Sequence, residues 1–271
     1  MGLHGIFGEV YGKNSMLILL LTVDICLLFA GNSAINLRWS GIIYPTPELY
    51  NAFLPNDYIN LFIGVPALIF SVILALCSIK IGLIGWTGSL LFVLYNEIAY
   101  LFAVRNVYSI IVNATIVLLG AAAIILMLTS LDYQALFPVA PIIRRPGIYG
   151  AILILMGVLF IARALINIIT PVSGNSILSL PEIGVNIADA VICPFWIISG
   201  ILLFKKTAAG FTAGCVSYFH GSLLFIALII FMVIRPMLCD MKLVTEDLLF
   251  IGVMTLIFLV PAVLITRTFQ L

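Results

Sequence analysis

The chain has 271 residues, of which 64% are hydrophobic and only 8% are charged, and its mean hydropathy is +1.30. Soluble domains carry roughly a quarter of charged residues, so a chain of this length could not cover a water-exposed surface with so few charges. The net charge of +1 is too small to indicate a positively charged surface for nucleic-acid binding, and the sequence has no acidic or polybasic tail. The composition therefore predicts an integral membrane protein whose surface is covered by the lipid bilayer.

Eight apolar runs follow one another along the chain, and each approaches the length of about 20 residues that a helix needs to cross hydrocarbon. They cover residues 15–37, 59–79, 82–104, 107–130, 148–170, 183–204, 209–234 and 248–265. Helices are expected because each one satisfies its own backbone hydrogen bonds in lipid, whereas a barrel would show shorter alternating segments. The predicted fold class is an all-α integral membrane protein with about eight transmembrane helices, here called spans one to eight.

The basic residues between the spans predict the orientation of the protein. Lysine and arginine favour short cytoplasmic loops, and with the N-terminus inside the count is seven on the cytoplasmic side against four outside. The seven are Lys13, Lys80, Arg144, Arg145, Lys205, Lys206 and Arg267, and the four are Arg38, Arg105, Arg235 and Lys242. We expect a multi-pass protein of the plasma membrane with both termini in the cytoplasm.

Span one also has features of a cleaved signal peptide, because Lys13 precedes it and Ala34 offers a small residue for cleavage. Asp24 interrupts the apolar run, which is also longer than the apolar part of an ordinary signal peptide. These two features favour a retained transmembrane helix over a cleaved leader.

Two outside segments, residues 38–58 and 171–182, contain prolines and small polar residues that are typical of non-helical or only briefly helical chain. Trp39, Tyr44, Tyr50 and Tyr58 lie in the first of them and suit the belt of aromatic residues found at a membrane–water interface. We therefore expect both segments to be surface loops.

Several features recur in the same order in the two halves of the chain. The matched features are Asn32/Asn36 with Arg163/Asn167, Asn60 with Asn186, Pro66 with Pro194, and Lys80 with Lys205. Four spans in each half is an even number, so the halves would be parallel repeats of the kind found in some transporters. We predict two four-helix repeats, residues 1–140 and 141–271, with chance as the alternative because proline and glycine are common in membrane helices.

Spans two and three carry Asn60-Leu61-x-x-Gly64-x-Pro66, then Gly85-Trp86-x-Gly88 and Tyr95. In these features the chain resembles a family of prokaryotic polytopic membrane proteins whose second and sixth spans contain a mid-helix proline. The resemblance covers spans two, three and six. It implies a topology and no activity.

Polar and charged residues inside the spans are the candidates for a binding site, because each costs about 2.5–3.5 kcal/mol on insertion scales if it is ionisable. The candidates for ligand binding are Asn32, Asn60, Glu97, Arg163, Asn167, Asn186 and Asp189, all predicted in the outer third of the membrane. Pairs spaced three or four residues apart, such as Arg163/Asn167 and Asn186/Asp189, share a helix face. Asp24 and His220 are expected nearer the midplane.

This arrangement predicts a polar pocket that opens to the outside, with the charge of Arg163 balanced by Glu97 or Asp189. The alternative interpretation is that the amides join helices by hydrogen bonds and that Arg163 forms a structural ion pair. The cysteines form no C-x-x-C pair, and the only histidines are His4 and His220, so the sequence predicts no metal site and identifies no cofactor.

Three kinds of function are compatible with these patterns. The first is a binder or transporter of a small polar or amphiphilic solute, supported by the parallel halves and the shared polar region. The second is a membrane-embedded enzyme on lipid or prenyl substrates, with Asp189, Glu97 or His220 as acid or base. The third is a homo-oligomer or a subunit of a membrane complex, in which Gly85, Gly88, Gly210 and Gly214 would allow close helix contact.

Overall fold

The computed structural model describes residues 6–132, 145–173, 178–239 and 241–266, with the backbone alone for Ile6 and residues 170–173. Within these ranges the chain is all-α and contains no strand. The α-helices are Ile6–Tyr11, Ser15–Arg38, Ser40–Ile43, Pro47–Ile59, Val65–Leu76, Lys80–Ala103, Val107–Ser130, Pro146–Ser173, Leu180–Phe204, Ala208–Cys239 and Thr245–Thr266. Gly12–Asn14 form a 3-10 turn, and Asn60–Gly64 form a π-helical segment.

Eight helical segments in the described part of the chain are long and apolar enough to cross a membrane. They are Phe7–Arg38, Pro47–Leu76, Lys80–Ala103, Val107–Ser130, Pro146–Ile169, Leu180–Phe204, Ala208–Cys239 and Thr245–Thr266. The predicted fold class, an all-α multi-pass membrane protein, is therefore confirmed. The identity of the membrane and the side on which the termini lie stay predictions.

The segment expected to be a loop before span two is largely helical, so that prediction is wrong. Span two begins at Pro47 and not near residue 59. Thr46 caps it by accepting a hydrogen bond from the backbone of Leu49, and Pro47 occupies the first turn, where the missing N–H costs nothing. Span six begins in the same way at Leu180, where Ser179 and Glu182 form a capping box. Proline thus starts helices here instead of preventing them.

Span two continues through the π segment, in which the backbone N–H of Val65 donates to the carbonyl of Asn60. Pro66 follows at once and has no N–H to donate, and its ring would collide with a carbonyl of the preceding α-helical turn. A wider turn at this point lets the helix pass the proline without ending. The wider turn also changes the direction in which the side chains before the π segment point, relative to those after it.

Span three is the central helix, and 89% of its most apolar stretch is buried inside the protein. It packs against spans two, four, six and seven. Close packing depends on small residues: a side chain added at Gly88 would lie 2.6 Å from the ring of Phe219 on span seven. Since span three contacts both predicted halves, the two share one core, and the predicted duplication stays a prediction.

The ends of spans one, three, five and seven lie together with the starts of spans two, four, six and eight, and we call this the distal end. A small apolar cluster marks it, formed by Ile43, Tyr44, Leu49, Phe53, Tyr100, Ala103 and Val104, with Leu180 packed against them. Tyr44 is buried in this cluster, so it does not belong to the expected aromatic belt. Trp39 is 53% exposed and remains suited to that belt. We predict that the distal end faces the outside.

Asp24 lies on the exposed face of span one, and no described residue hydrogen-bonds to its side chain. Counted at 1.5 Å per residue, it is roughly 16 Å from Lys13 and roughly 21 Å from Arg38, which places it within the hydrocarbon. A carboxyl group in contact with lipid at this depth is costly.

We expect Asp24→Leu to make insertion of span one more favourable by about 2.5–3.5 kcal/mol, because the change removes an ionisable group from lipid. The measurement is the apparent insertion free energy of the span in a translocon reporter. Leu27→Asp is the matched control, since Leu27 is 67% exposed on the same helix. This change should make insertion of span one less favourable by a similar amount. Unchanged insertion of Asp24→Leu would contradict the lipid-facing position.

Candidate functional site

The seven predicted ligand-binding residues do not form one pocket but divide between two sides of span three. Tyr95 and Glu97 are two residues apart on this helix, which places their side chains about 200° apart around its axis. Tyr95 faces span six, where Arg163, Asp189, Asn167 and Asn186 meet. Glu97 lies on the other side near Asn32 and Asp57, and Asn60 is one turn from Asp57 on the same face of span two.

The first group is centred on an ion pair between spans five and six. Nη2 of Arg163 donates to Oδ2 of Asp189 at 2.6 Å, and the hydroxyl of Tyr95 donates to the other carboxylate oxygen at 3.0 Å. The side chain of Asp189 is 2% exposed, whereas that of Arg163 is 50% exposed and lies over the ring of Phe160. Asp189 thus neutralises Arg163 from the protein side, and the outer part of the guanidinium faces open space.

Two amides extend this group towards the distal end. Nδ2 of Asn167 donates to Oδ1 of Asn186 at 3.2 Å, one helical turn beyond the ion pair on both helices. Spans five and six can be bridged by such short side chains because their backbones lie close together. A side chain added at Gly157, between one and two turns inward of the ion pair, would lie 3.0 Å from the carbonyl oxygen of Cys193.

A cleft of about 570 Å³ opens beside these residues at the distal end, between the starts of spans two and six and the ends of spans five and seven. We call it the distal cleft. Its charged and polar lining consists of Glu48, Asn51, Arg163, Asn167, Ser179, Glu182, Asn186 and Arg235, and Val185, Phe231 and Met241 add apolar surface. The cleft therefore offers both signs of charge next to an apolar wall.

Arg235 is the cation of the distal cleft that has no carboxylate partner in the described part of the chain. Its guanidinium lies over the ring of Phe231, and its buried Nε has no hydrogen-bond partner among the described residues. One carboxylate oxygen of Glu182 already accepts hydrogen bonds from the backbone and hydroxyl of Ser179. Sequence reasoning assigned Arg235 and Glu48 to loops, since only the helical extensions of spans two and seven bring them to the cleft.

The second group is centred on Asp57, a residue that sequence reasoning also placed in a loop. Asp57 is fully buried and accepts hydrogen bonds from Tyr44 at 2.6 Å, Tyr100 at 3.0 Å and Asn36 at 3.2 Å. Burial, and then the neighbouring Tyr100 and Asp57, raise the pKa of Tyr44 well above its ordinary value, so its hydroxyl remains a donor. We call these residues, together with Ser33, Asn60 and Glu97, the Asp57 cluster.

Glu97 is fully buried on the same side of span three and does not pair with Arg163. The side chain of Asn32 approaches its carboxyl group, but neither oxygen has a hydrogen bond of ordinary length to a described residue. Asn32 instead donates to Asn113 at 2.9 Å and accepts from Tyr108. These amides join spans one and four, as the packing interpretation expected.

His220 belongs to neither group. It is fully buried, and its Nδ1 accepts a hydrogen bond from the indole of Trp196 at 3.1 Å, an interaction between spans six and seven. Among the described residues, no three side chains of the types His, Cys, Asp and Glu come together in an arrangement that could hold a metal ion.

The fold and these two polar groups define the chain as a polytopic helical membrane protein with buried polar centres near one end. No protein-family model matches the chain, and no match is found among curated proteins or among solved structures. The resemblance based on the motifs of spans two and three therefore stays a prediction.

We expect Arg163→Met to lower the free energy of unfolding by about 1–3 kcal/mol, because it leaves the buried Asp189 without its cation while Arg163 itself is half exposed. The double variant Arg163→Met/Asp189→Leu should regain most of this loss, since apolar replacements of a whole pair are often neutral. Thermal unfolding of the protein in a nonionic detergent measures both. Arg105→Met, an exposed arginine with no described ion pair, is the control. If the double variant loses as much unfolding free energy as Arg163→Met and Asp189→Leu together, the two residues do not act as a pair.

Proposed function

We propose that the protein binds a small zwitterionic solute in the distal cleft, as a solute binder or transporter. The observation that carries the proposal is that the partly buried Arg235, which has no carboxylate partner among the described residues, and the half-exposed Arg163 line the same cleft as Glu48 and Glu182. An anionic group of the solute would lie against the arginines, and a cationic group against the glutamates. Charge-assisted hydrogen bonds of this kind are about twice as strong as neutral ones.

The lining of the cleft also limits the size and polarity of the solute. A volume of about 570 Å³ is within the ordinary range of small-molecule pockets. The amides of Asn51, Asn167 and Asn186 can accept or donate hydrogen bonds to a polar solute, and Phe231 with Val185 can contact an apolar part. These features support a solute that is polar at one end and has a short apolar portion.

The two alternative functions have less support. For an enzyme, none of the candidate acids and bases is hydrogen-bonded to another: Asp189 is bound by Arg163 and Tyr95, His220 by Trp196, and Glu97 has no hydrogen bond of ordinary length among the described residues. A subunit of a complex would need these small residues to face a partner, but Gly85 and Gly88 both pack against Phe219 inside this chain, and Gly210 packs against Leu202. The glycines therefore do not point to a partner protein.

The test uses the whole protein in a nonionic detergent and compares its melting temperature with four probes: phosphocholine, leucine, choline and inorganic phosphate. The two zwitterions should raise the melting temperature in a saturable way, as expected for a ligand that binds only the folded state. Choline and phosphate, which each carry one half of the charge pattern, should raise it less. Uptake of the active zwitterion into proteoliposomes then distinguishes a transporter from a binder.

We expect Arg235→Gln to weaken zwitterion binding by about tenfold or more, because a lost charge-assisted hydrogen bond costs about 1.5–3 kcal/mol. Arg105→Gln is the matched control, since Arg105 is exposed and lies outside the cleft. If neither zwitterion stabilises the protein, or if Arg235→Gln and Arg105→Gln bind alike, the proposed function is wrong.

A further inference from the structure

We propose that the Asp57 cluster is a binding site for a monovalent cation of the size of sodium, buried between spans one, two and three. This proposal does not depend on the solute proposed for the distal cleft, because the two sites lie on different sides of span three. It is carried by the convergence of oxygen atoms that have no hydrogen-bond partner.

Helix register brings these oxygens together. Asn36 on span one and Tyr100 on span three both donate to Asp57 on span two, which aligns the three helices at that level. Spans one and three run antiparallel to span two, so one turn further into the membrane Ser33 and Glu97 lie level with Asn60. One more turn along, a side chain added at Gly64 would meet the rings of Phe29 on span one and Phe92 on span three, which confirms the register.

The side chains at this level are buried, and several of their oxygens are free. Ser33, Asn36, Asn60 and Glu97 are each at most 3% exposed. The oxygens without a hydrogen-bond partner among the described residues are Ser33 Oγ, Asn36 Oδ1, Asn60 Oδ1 and both carboxyl oxygens of Glu97, and Nδ2 of Asn60 also lacks one. Buried polar atoms of proteins are normally paired, so five unpaired oxygens at one level of three adjacent helices point to a ligand that accepts electron pairs.

The charges of the cluster point to a cation. Asp57 receives three donors and is surrounded as a carboxylate would be, yet no cationic side chain in the described part of the chain pairs with it or with Glu97. An ionised carboxylate in the membrane interior is strongly disfavoured unless a positive charge or several hydrogen bonds compensate it. The donors serve Asp57, so Glu97 still needs a positive charge, from a proton or a cation, and the unpaired oxygens at its level favour the cation.

The ligand types favour a hard monovalent ion. Hydroxyl, amide and carboxyl oxygens bind hard cations, whereas the histidine and cysteine ligands of transition metals are missing from the cluster as described. Of the two carboxyl groups in the cluster, Glu97 is the one without a hydrogen bond of ordinary length to a described residue, so one positive charge balances it. The π segment begins at Asn60, and such segments occur frequently at functional sites.

The direct test is equilibrium binding of radiolabelled sodium to the whole purified protein in a nonionic detergent, at constant ionic strength maintained with choline chloride. We expect saturable binding of one ion per chain. The melting temperature should rise further when sodium replaces choline at the same ionic strength, since the ion binds the folded state. Glu97→Gln should weaken sodium binding by roughly tenfold or more, by analogy with the loss of a single group from a metal site.

Ser33→Ala is the second variant and removes one neutral oxygen, so it should weaken sodium binding less than Glu97→Gln while leaving the fold intact. Glu246→Gln is the matched control, because Glu246 is exposed at the start of span eight and far from the cluster in sequence. If Glu97→Gln does not fold, sodium binding by Ser33→Ala tests the proposal. The proposal is overturned if sodium does not bind saturably, if the folded cluster variants bind like wild type, or if stability responds to pH and not to sodium, which would mean that the carboxyls hold protons only.

Discussion

A polar group buried in a membrane protein has no water available for hydrogen bonding, so it must bond within the protein, face a hydrated cleft or bind a ligand. This constraint explains how the distal half of the protein is arranged. Asp189 is almost completely buried, and its two oxygens are held by Arg163 and Tyr95. Asp57 is fully buried and receives three donors. Glu97 and Arg235 have buried polar atoms without a hydrogen-bond partner among the described residues. These two groups therefore indicate where a ligand could bind.

Span three determines which polar groups can meet. It is the most buried of the eight spans, and it presents Tyr95 to span six while Tyr100 and Glu97 face spans one and two. Its glycines allow spans two and seven to approach closely, so the polar side chains of neighbouring helices can reach one another. The separation of the polar residues into two groups thus follows from the geometry of one helix.

Much of the fold was predictable from the sequence, because long apolar runs have few stable alternatives in lipid. The pairs Arg163/Asn167 and Asn186/Asp189 were also predictable, since their spacing puts each pair on one helix face. Asp57, Glu48 and Arg235 were missed because prolines and polar residues beside an apolar run resemble a loop. The structure shows that Pro47 starts a helix, and this one difference brings Asp57 into the core. Whether Glu97 or Asp189 would meet Arg163 depended on helix rotation, which spacing within a single span does not determine.

The same two helices connect the distal cleft with the Asp57 cluster. Span two lines the cleft with Glu48 and Asn51 and then carries Asp57 and Asn60 into the core, two to three turns further on. Span three holds Asp189 through Tyr95 and Asp57 through Tyr100. Span two therefore contributes side chains to both sites, and span three anchors one carboxylate in each polar group.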